Sequence, residues 1–199
     1  MLLYYSPGAC SLAVHIALRE LDQRFDLVAV DLDKHTLPDG SDYRRVNPKG
    51  YVPLLELDDG KRLSEANVIL QYLADRKPGS LAPQAGSWER YQLMEWLSFI
   101  ATELHKGFGP LWHPQPREVR EQAVARLGER FGFVATSLAK QPYLMGSAYT
   151  IADAYLFVML SWAMHHKLDL KASALGEFHK RIASRAAVRA ALEAEGLAK

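Results

Sequence analysis

Met1-Leu2-Leu3-Tyr4-Tyr5-Ser6-Pro7-Gly8-Ala9-Cys10-Ser11-Leu12 carries the chain from an apolar, strand-like run through a Pro-Gly turn into a helix. The helix is predicted over Ser11 to Leu21, where Leu12, Ile16 and Leu18 share the segment with His15, Arg19 and Glu20. Cys10, the only cysteine, stands at its first turn. Unsatisfied backbone N–H groups and the positive end of the helix dipole favour thiolate over thiol there. Such a thiolate can attack, be attacked or meet the sulfur of a ligand; the alternative is a small buried hydrophobe.

Phe25 to Val30 reads as a second strand, followed by a polar loop, Asp33 to Gly50, with a short irregular helix near Ser41 to Arg45. Val52 to Leu57 and Lys61 to Leu63 flank Asp58-Asp59-Gly60, a hairpin signal because the turn needs the positive φ that glycine adopts freely. Ser64 then precedes a helix over Glu65 to Asp75, closed by Lys77-Pro78-Gly79. The order β-α-β-loop-β-β-α makes a mixed sheet with helices packed on it.

Beyond Pro83 the pattern is helical throughout. Trp88 to Lys106 reads as one long helix and Glu118 to Leu138 as another. Thr150-Ile151-Ala152-Asp153 has the form of a capping box opening an almost wholly apolar helix, Ala154 to Met164, and Leu175 to Glu195 supplies the last helical material. The division expected is a small α/β domain over residues 1–80 and an all-helical domain over residues 86–199.

Composition narrows the function. With 199 residues, 49% hydrophobic, 24% charged and a net charge of +1, the chain reads as a soluble globular protein. Near neutrality argues against a nucleic-acid partner. A single cysteine excludes an internal disulfide framework and points to a reducing compartment. The opening residues lack a signal-peptide pattern, and no apolar run approaches the roughly 20 residues that span a bilayer, so the expectation is a cytoplasmic protein with no membrane partner.

Pro53 falls at the start of a strand that otherwise reads as central, where it cannot donate to the ladder. A cis Val52-Pro53 bond would turn the Val52 backbone outward to pair with an extended ligand; an ordinary trans proline at a strand start is the alternative. Ser64 and Glu65 suit helix capping and the dipole. They equally suit a clamp for an α-amino acid, the helix end taking its carboxylate and Glu65 its ammonium.

With these features the chain closely resembles the glutathione transferases, specifically their bacterial beta class. The match is carried by Tyr4-Tyr5-Ser6-Pro7-Gly8-Ala9-Cys10-Ser11-Leu12, Val46-Asn47-Pro48-Lys49-Gly50-Tyr51-Val52-Pro53, Leu63-Ser64-Glu65-Ala66 and Gln71-Tyr72-Leu73-Ala74-Asp75. It continues through Glu103-Leu104-His105-Lys106-Gly107-Phe108, Thr150-Ile151-Ala152-Asp153-Ala154-Tyr155-Leu156-Phe157 and Glu195-Gly196-Leu197. The resemblance implies a thioredoxin-like domain joined to a helical one, a homodimer, and glutathione as co-substrate in a cleft between the domains. By matching position, Val52 would hold the cysteinyl backbone, Glu65 and Ala66 the γ-glutamyl end, and Cys10 would lie beside the sulfur. Ser98, Thr102, Glu103 and His105, followed by Lys106, would line the helical side, some of them reaching the neighbouring subunit's ligand. Relatives often carry a lysine where this chain has His35, a position expected to contact the glycine carboxylate. A largely neutral histidine would weaken that contact, and Lys34 beside it is a possible substitute.

The activity implied is conjugation of reduced glutathione to small hydrophobic electrophiles, with Cys10 and His105 as catalytic residues. Lowering a thiol pKa by two units requires about 2.7 kcal/mol of differential stabilisation. A side activity in thiol–disulfide exchange or peroxide reduction would run through Cys10 by a monothiol route, since no Cys-x-x-Cys is present. Phe108, Leu111, Trp112 and His113 are candidates for the electrophile pocket, with Trp162 and Met164 to His166 as a second set. His165-His166 is not expected to bind metal, because neighbouring helical side chains diverge by about 100°. The competing reading is a non-catalytic glutathione-binding or interaction protein of the same fold.

Overall fold

The computed structural model describes residues 1–170 and 173–198, and the chain divides into two compact units: Met1–Leu81 with Arg185–Lys199, and Ala82–Ser184. The chain beyond 184, expected in the helical domain, joins the first unit instead.

In the first unit, β1 (Leu2–Tyr5) leads into α1 (Ser11–Glu20), then β2 (Asp26–Ala29), a 3-10 turn at Tyr43–Arg45, β3 (Leu54–Glu56), β4 (Arg62–Ser64) and α2 (Ala66–Asp75). The sheet order is β2-β1-β3-β4. β1 and β2 are parallel, with Leu3 opposite Leu27; β1–β3 and β3–β4 are antiparallel, with Leu55 opposite both Leu3 and Leu63. This is the mixed sheet that the element order implied, in the thioredoxin-like arrangement that the resemblance implied. Side chains alternate across a strand, so β1 serves two cores. Tyr4 joins Val30, Tyr43, Val52 and Leu54 in one buried cluster, while Leu3 and Leu55 are fully buried too.

The hairpin turn falls as expected, with Gly60 at φ +80° and Leu57 N–H bonded to the Lys61 carbonyl at 2.8 Å. The Ser64 cap does not. Ser64 is the last residue of β4, and Glu65 is the N-cap, at φ +73° and with no capping side chain. The strand passes into the helix through Glu65 alone, so this residue makes the whole change of direction. α8 (Ala186–Ala194) packs on α1 in this unit.

The second unit is helical among its described residues. α3 (Trp88–Phe99) is capped by Ser87, whose hydroxyl accepts from Arg90 N–H at 3.1 Å. The single helix expected to reach Lys106 changes register first: Ile100–His105 forms a π turn, Lys106–Phe108 a 3-10 turn, and α4 (Gly109–Trp112) ends the run. The wider π turn re-phases the side chains that follow it, a device frequent at functional sites. α5 (Arg117–Leu138), α6 (Ile151–His165) and α7 (Ser173–Ala183) complete the unit. The capping box forms: Asp153 Oδ2 accepts from Thr150 N–H at 2.7 Å, and Oδ1 accepts from Leu144 N–H at 2.8 Å. α6 is buried almost from end to end, as its composition dictated.

Candidate active site

In the first unit the site begins at the turn before α1. Ala9 N–H bonds the Ser6 carbonyl at 3.0 Å, Gly8 takes φ +71°, and the Ser11 hydroxyl closes the turn on the Ser6 main chain. Cys10 is the N-cap of α1, and its thiol donates to the Val52 carbonyl at 3.4 Å. It is buried, at 7% exposure.

The Val52-Pro53 bond is cis. The Tyr51 carbonyl just before it accepts from Asn47 Nδ2 at 2.7 Å and from the Tyr43 hydroxyl at 3.2 Å. Tyr43 is fully enclosed, and burial pushes its phenol up to about 12, which keeps it a donor. The Val52 backbone is the segment expected to turn outward and pair with an extended ligand, and its carbonyl accepts from Cys10.

At the start of α2, Glu65 Oε1 accepts from Lys49 Nζ and from the Tyr51 hydroxyl, each at 2.7 Å. Lys49 also reaches the Ser64 hydroxyl at 3.0 Å. The hydrogen bond to Glu65 raises both the Lys49 ammonium and the Tyr51 phenol above their ordinary values. Ala66 follows, buried in the first turn. Lys49 and Tyr51 were not singled out from sequence; a cation and a hydroxyl two residues apart in a polar loop give no periodic signal. Lys49 thus sits on the carboxylate that the clamp reading assigned to a ligand ammonium.

His35 has φ +54°, and its Nδ1 lies 3.0 Å from the Gly50 carbonyl. Gly50 has φ +72°, and a Cβ there would lie 3.2 Å from that same nitrogen, so the loop closes on the imidazole only with glycine at this position. Lys34, the proposed substitute, is exposed and lies 3.5 Å from Asp31.

The second unit holds the other candidates. His105 Nδ1 is 2.6 Å from the Tyr155 hydroxyl, and its ring meets those of Tyr155 and Trp162 edge-on. A tyrosine inside so apolar a helix calls for a polar partner, and His105 is one. Glu103 bridges Arg126 and Arg130 at 3.1 and 2.8 Å, and these contacts hold its carboxyl below the usual range. Ser98 and Thr102 are exposed, with the Thr102 hydroxyl bonded to the Ser98 carbonyl at 2.9 Å. Thr102, Glu103, Lys106 and Arg126 line a groove of about 350 Å³.

The two sets of electrophile-pocket candidates prove to be neighbours. Trp112 packs on Trp162, His165 and His166 at centroid distances of 5.0, 5.9 and 4.4 Å, and Phe108 on Trp162 and His166 at 5.5 and 6.0 Å. Phe108 and Leu111 are buried beneath, whereas Trp112 and His113 are exposed. His166 has a buried Nε2 with no partner in the structure, and burial pushes its imidazole below the ordinary value, with His165 and Arg120 adding to the effect. Among the described residues no group of three or more His, Cys, Asp or Glu is placed to hold a metal, and no helix is long and apolar enough to cross a membrane.

A sheet of this topology with a thiol at the start of α1, a cis-proline loop and a carboxylate at the start of α2, together with a helical unit, defines a thioredoxin-like domain joined to an all-helical one. The chain belongs to the glutathione S-transferase family. The model described as Glutathione S-transferase, N-terminal domain matches residues 8–76, and Glutathione S-transferase, C-terminal domain matches residues 99–186. The chain is 50% identical to "Glutathione S-transferase GstA" of Escherichia coli O157:H7, over 99% of this chain and 100% of that protein. Two solved structures resemble it over nearly its whole length. The bacterial beta class glutathione S-transferase of Sphingomonas chungbukensis has a TM-score of 0.95 at 46% identity, covering 99% of this chain and 100% of that one. A sphingomonad glutathione S-transferase complexed with glutathione has a TM-score of 0.95 at 45% identity, covering all of both chains.

Proposed function

We propose that this protein conjugates reduced glutathione to small hydrophobic electrophiles. The observation that carries the reading is the meeting of Cys10 and the Val52 carbonyl at 3.4 Å, which puts a thiol and the main chain of a cis-proline loop at one point. A tripeptide extended along that loop would take its cysteinyl backbone from Val52, its γ-glutamyl ammonium from Glu65 in place of Lys49, and its γ-glutamyl carboxylate from the start of α2 at Ala66. His35 would face the glycine carboxylate.

The chemistry asks for a thiolate. The glutathione thiol loses its proton, its sulfur attacks the electrophilic carbon, a C–S bond forms and a leaving group such as chloride departs with its electron pair. We assign the proton-accepting role to His105, whose ring is oriented by Tyr155 at 2.6 Å. Cys10 stands beside the glutathione sulfur, where a glutathione disulfide would exchange with it to form a mixed disulfide and release one thiol. Phe108, Leu111, Trp112 and His113, with Trp162, wall the electrophile. Ser98, Thr102, Glu103 and Lys106 are assigned, within the helical unit, to contacts with glutathione, in part that of a neighbouring subunit.

A homodimer is supported by an aromatic patch on α3 and α5. Trp88, Tyr91, Met94 and Phe133 are exposed, and the Phe133 ring packs at a tilt on Trp96 and Phe99 at 5.6 and 5.2 Å. The cytoplasm is the compartment in which the reduced thiols this chemistry needs are kept.

Retention on immobilised glutathione followed by conjugation of a chloronitrobenzene tests the reading. Turnover that saturates with glutathione is expected; retention without turnover would favour a binding protein, and no retention would remove the function altogether.

A further inference from the structure

Behind the turn that carries Cys10 runs a buried chain of hydrogen bonds that none of the chemistry above uses. Glu195, directly after α8, accepts from Gly8 N–H through Oε2 at 2.9 Å, and its Oε1 lies 2.8 Å from His15 Nδ1. On the other edge of the ring, His15 Nε2 accepts from Arg19 Nε at 2.9 Å. The His15 and Glu195 side chains are fully buried. The Arg19 guanidinium rests on the Phe25 ring at 5.7 Å.

The pattern dictates where the protons lie. An arginine Nε–H can only donate, so His15 Nε2 presents its lone pair. The ring proton is therefore on Nδ1, and it donates to Glu195. The carboxylate is left with one donor on each oxygen and with the Arg19 charge at the far end of the ring, an arrangement that compensates its burial. One of those donors is the main chain of Gly8, two residues before Cys10, in a turn where Gly8 takes φ +71°. A Cβ on Gly8 would lie 3.7 Å from the Leu197 side chain, so the turn is seated directly against the segment that carries Glu195.

We propose that Arg19, His15 and Glu195 form a positioning relay for Cys10, in which Glu195 holds the Ser6–Ala9 turn so that the thiol is aimed at the Val52 carbonyl. The inference rests on the assignment of Cys10 to the glutathione site. Glu195 touches no reacting atom; it acts through Gly8.

The relay is directional, and a change of equal shape breaks it. In Glu195→Gln the new amide must present N–H either to His15 Nδ1–H or to Gly8 N–H, so one bond is lost while Arg19 prevents the ring from moving its proton. Adding Arg19→Met releases the ring: its proton moves to Nε2, Nδ1 accepts from the amide, and both bonds return. Adding Arg19→Lys instead keeps a donor facing Nε2 and gives no such release.

The test follows alkylation of Cys10 by iodoacetamide without glutathione, and kcat/KM for glutathione in conjugation, with Tm measured alongside. Glu195→Gln is expected to change the alkylation rate at least about fivefold and to lower kcat/KM about fivefold, inside the limit set by losing the Cys10 sulfur altogether. The Arg19→Met and Glu195→Gln pair should return both rates to within about threefold of the parent, and the Arg19→Lys pair should not. Unchanged rates in Glu195→Gln, a double variant as impaired as the single one, or a lowered Tm with unaltered alkylation would each overturn the relay. The alkylation arm needs no glutathione. If the parent protein neither binds nor conjugates it, the proposed function falls while the rescue pattern still decides the relay.

Discussion

Lys49 Nζ and the Tyr51 hydroxyl share a single oxygen of Glu65, each at 2.7 Å. The carboxylate is thus held facing cationic and hydroxyl donors at the start of α2, while the Glu65 main chain makes the turn from strand to helix at φ +73°. Glu65→Gln keeps that shape and removes the charge. Charge-assisted hydrogen bonds contribute more than neutral ones, so the variant should bind glutathione at least about tenfold more weakly. Calorimetry measures this directly, and an unchanged Kd would remove Glu65 from the ammonium clamp.

Cys10→Ala separates two activities. It removes the sulfur on which disulfide exchange depends and leaves the rest of the glutathione site in place. Exchange with a glutathione mixed disulfide should be abolished, whereas conjugation should fall by less than about tenfold, the loss of one weak contact to the ligand thiolate. Equal loss of both would contradict this division of labour.

His105→Ala addresses the proton acceptor. Conjugation should become half-maximal at a higher pH, and kcat at neutral pH should fall about a hundredfold if general-base help is lost. Tyr155→Phe removes the 2.6 Å partner and should move the profile the same way by less. A pH–rate profile identical to the parent's would take His105 out of the acid–base role.

Trp112→Ala tests the electrophile wall. Trp112 is 43% exposed yet stacks on His165 and meets Trp162 and His166 edge-on. Its removal should raise KM for an aromatic electrophile severalfold and leave KM for glutathione within about twofold, since truncating one large aromatic contact typically costs about 1 kcal/mol. A change confined to glutathione would place Trp112 elsewhere.

Stability should fall on mild acidification. Burial holds the His179 imidazole below its ordinary value, and desolvation does the same to His166. The folded state therefore binds those protons less tightly than the unfolded chain, which takes them up first as pH falls past about 6.5. Their contribution to stability is complete above that pH and is lost below it. Tm should drop between about pH 7.5 and about pH 5.5, and His179→Gln should flatten the drop. His179 stacks on Phe157 at 4.7 Å with Nε2 3.0 Å from the Ser161 hydroxyl, so the amide retains a partner. A slope equal in parent and variant would exclude His179 as the cause.

The elements were legible in the chain because each depends on neighbours in sequence. Leu2–Tyr5 before Pro-Gly, the Asp-Gly hairpin, the Thr150/Asp153 capping box and the apolar run after it all occur where periodicity and turn chemistry placed them. The expectations that failed were those decided by geometry across elements. Ser64 has the chemistry of a cap, but β4 extends to include it, and the turn passes to Glu65. The run from Trp88 keeps helical spacing through Lys106, yet its register changes at Ile100. Spacing alone does not distinguish 3.6 residues per turn from a single wider turn.

Local sequence determined the order of strands and helices and the identity of Cys10, Glu65 and His105 as chemical groups, and it left the Val52-Pro53 bond open between cis and trans. Which groups face one another was left to tertiary packing: the thiol on the Val52 carbonyl, Lys49 on Glu65, His105 on Tyr155, and Glu195 beneath the Gly8 turn. Propensities and turns act over a few residues, whereas each of these pairings spans 16 to 187 positions. Contacts at such separations exist only once burial has brought the elements together, so no window of the chain contains them.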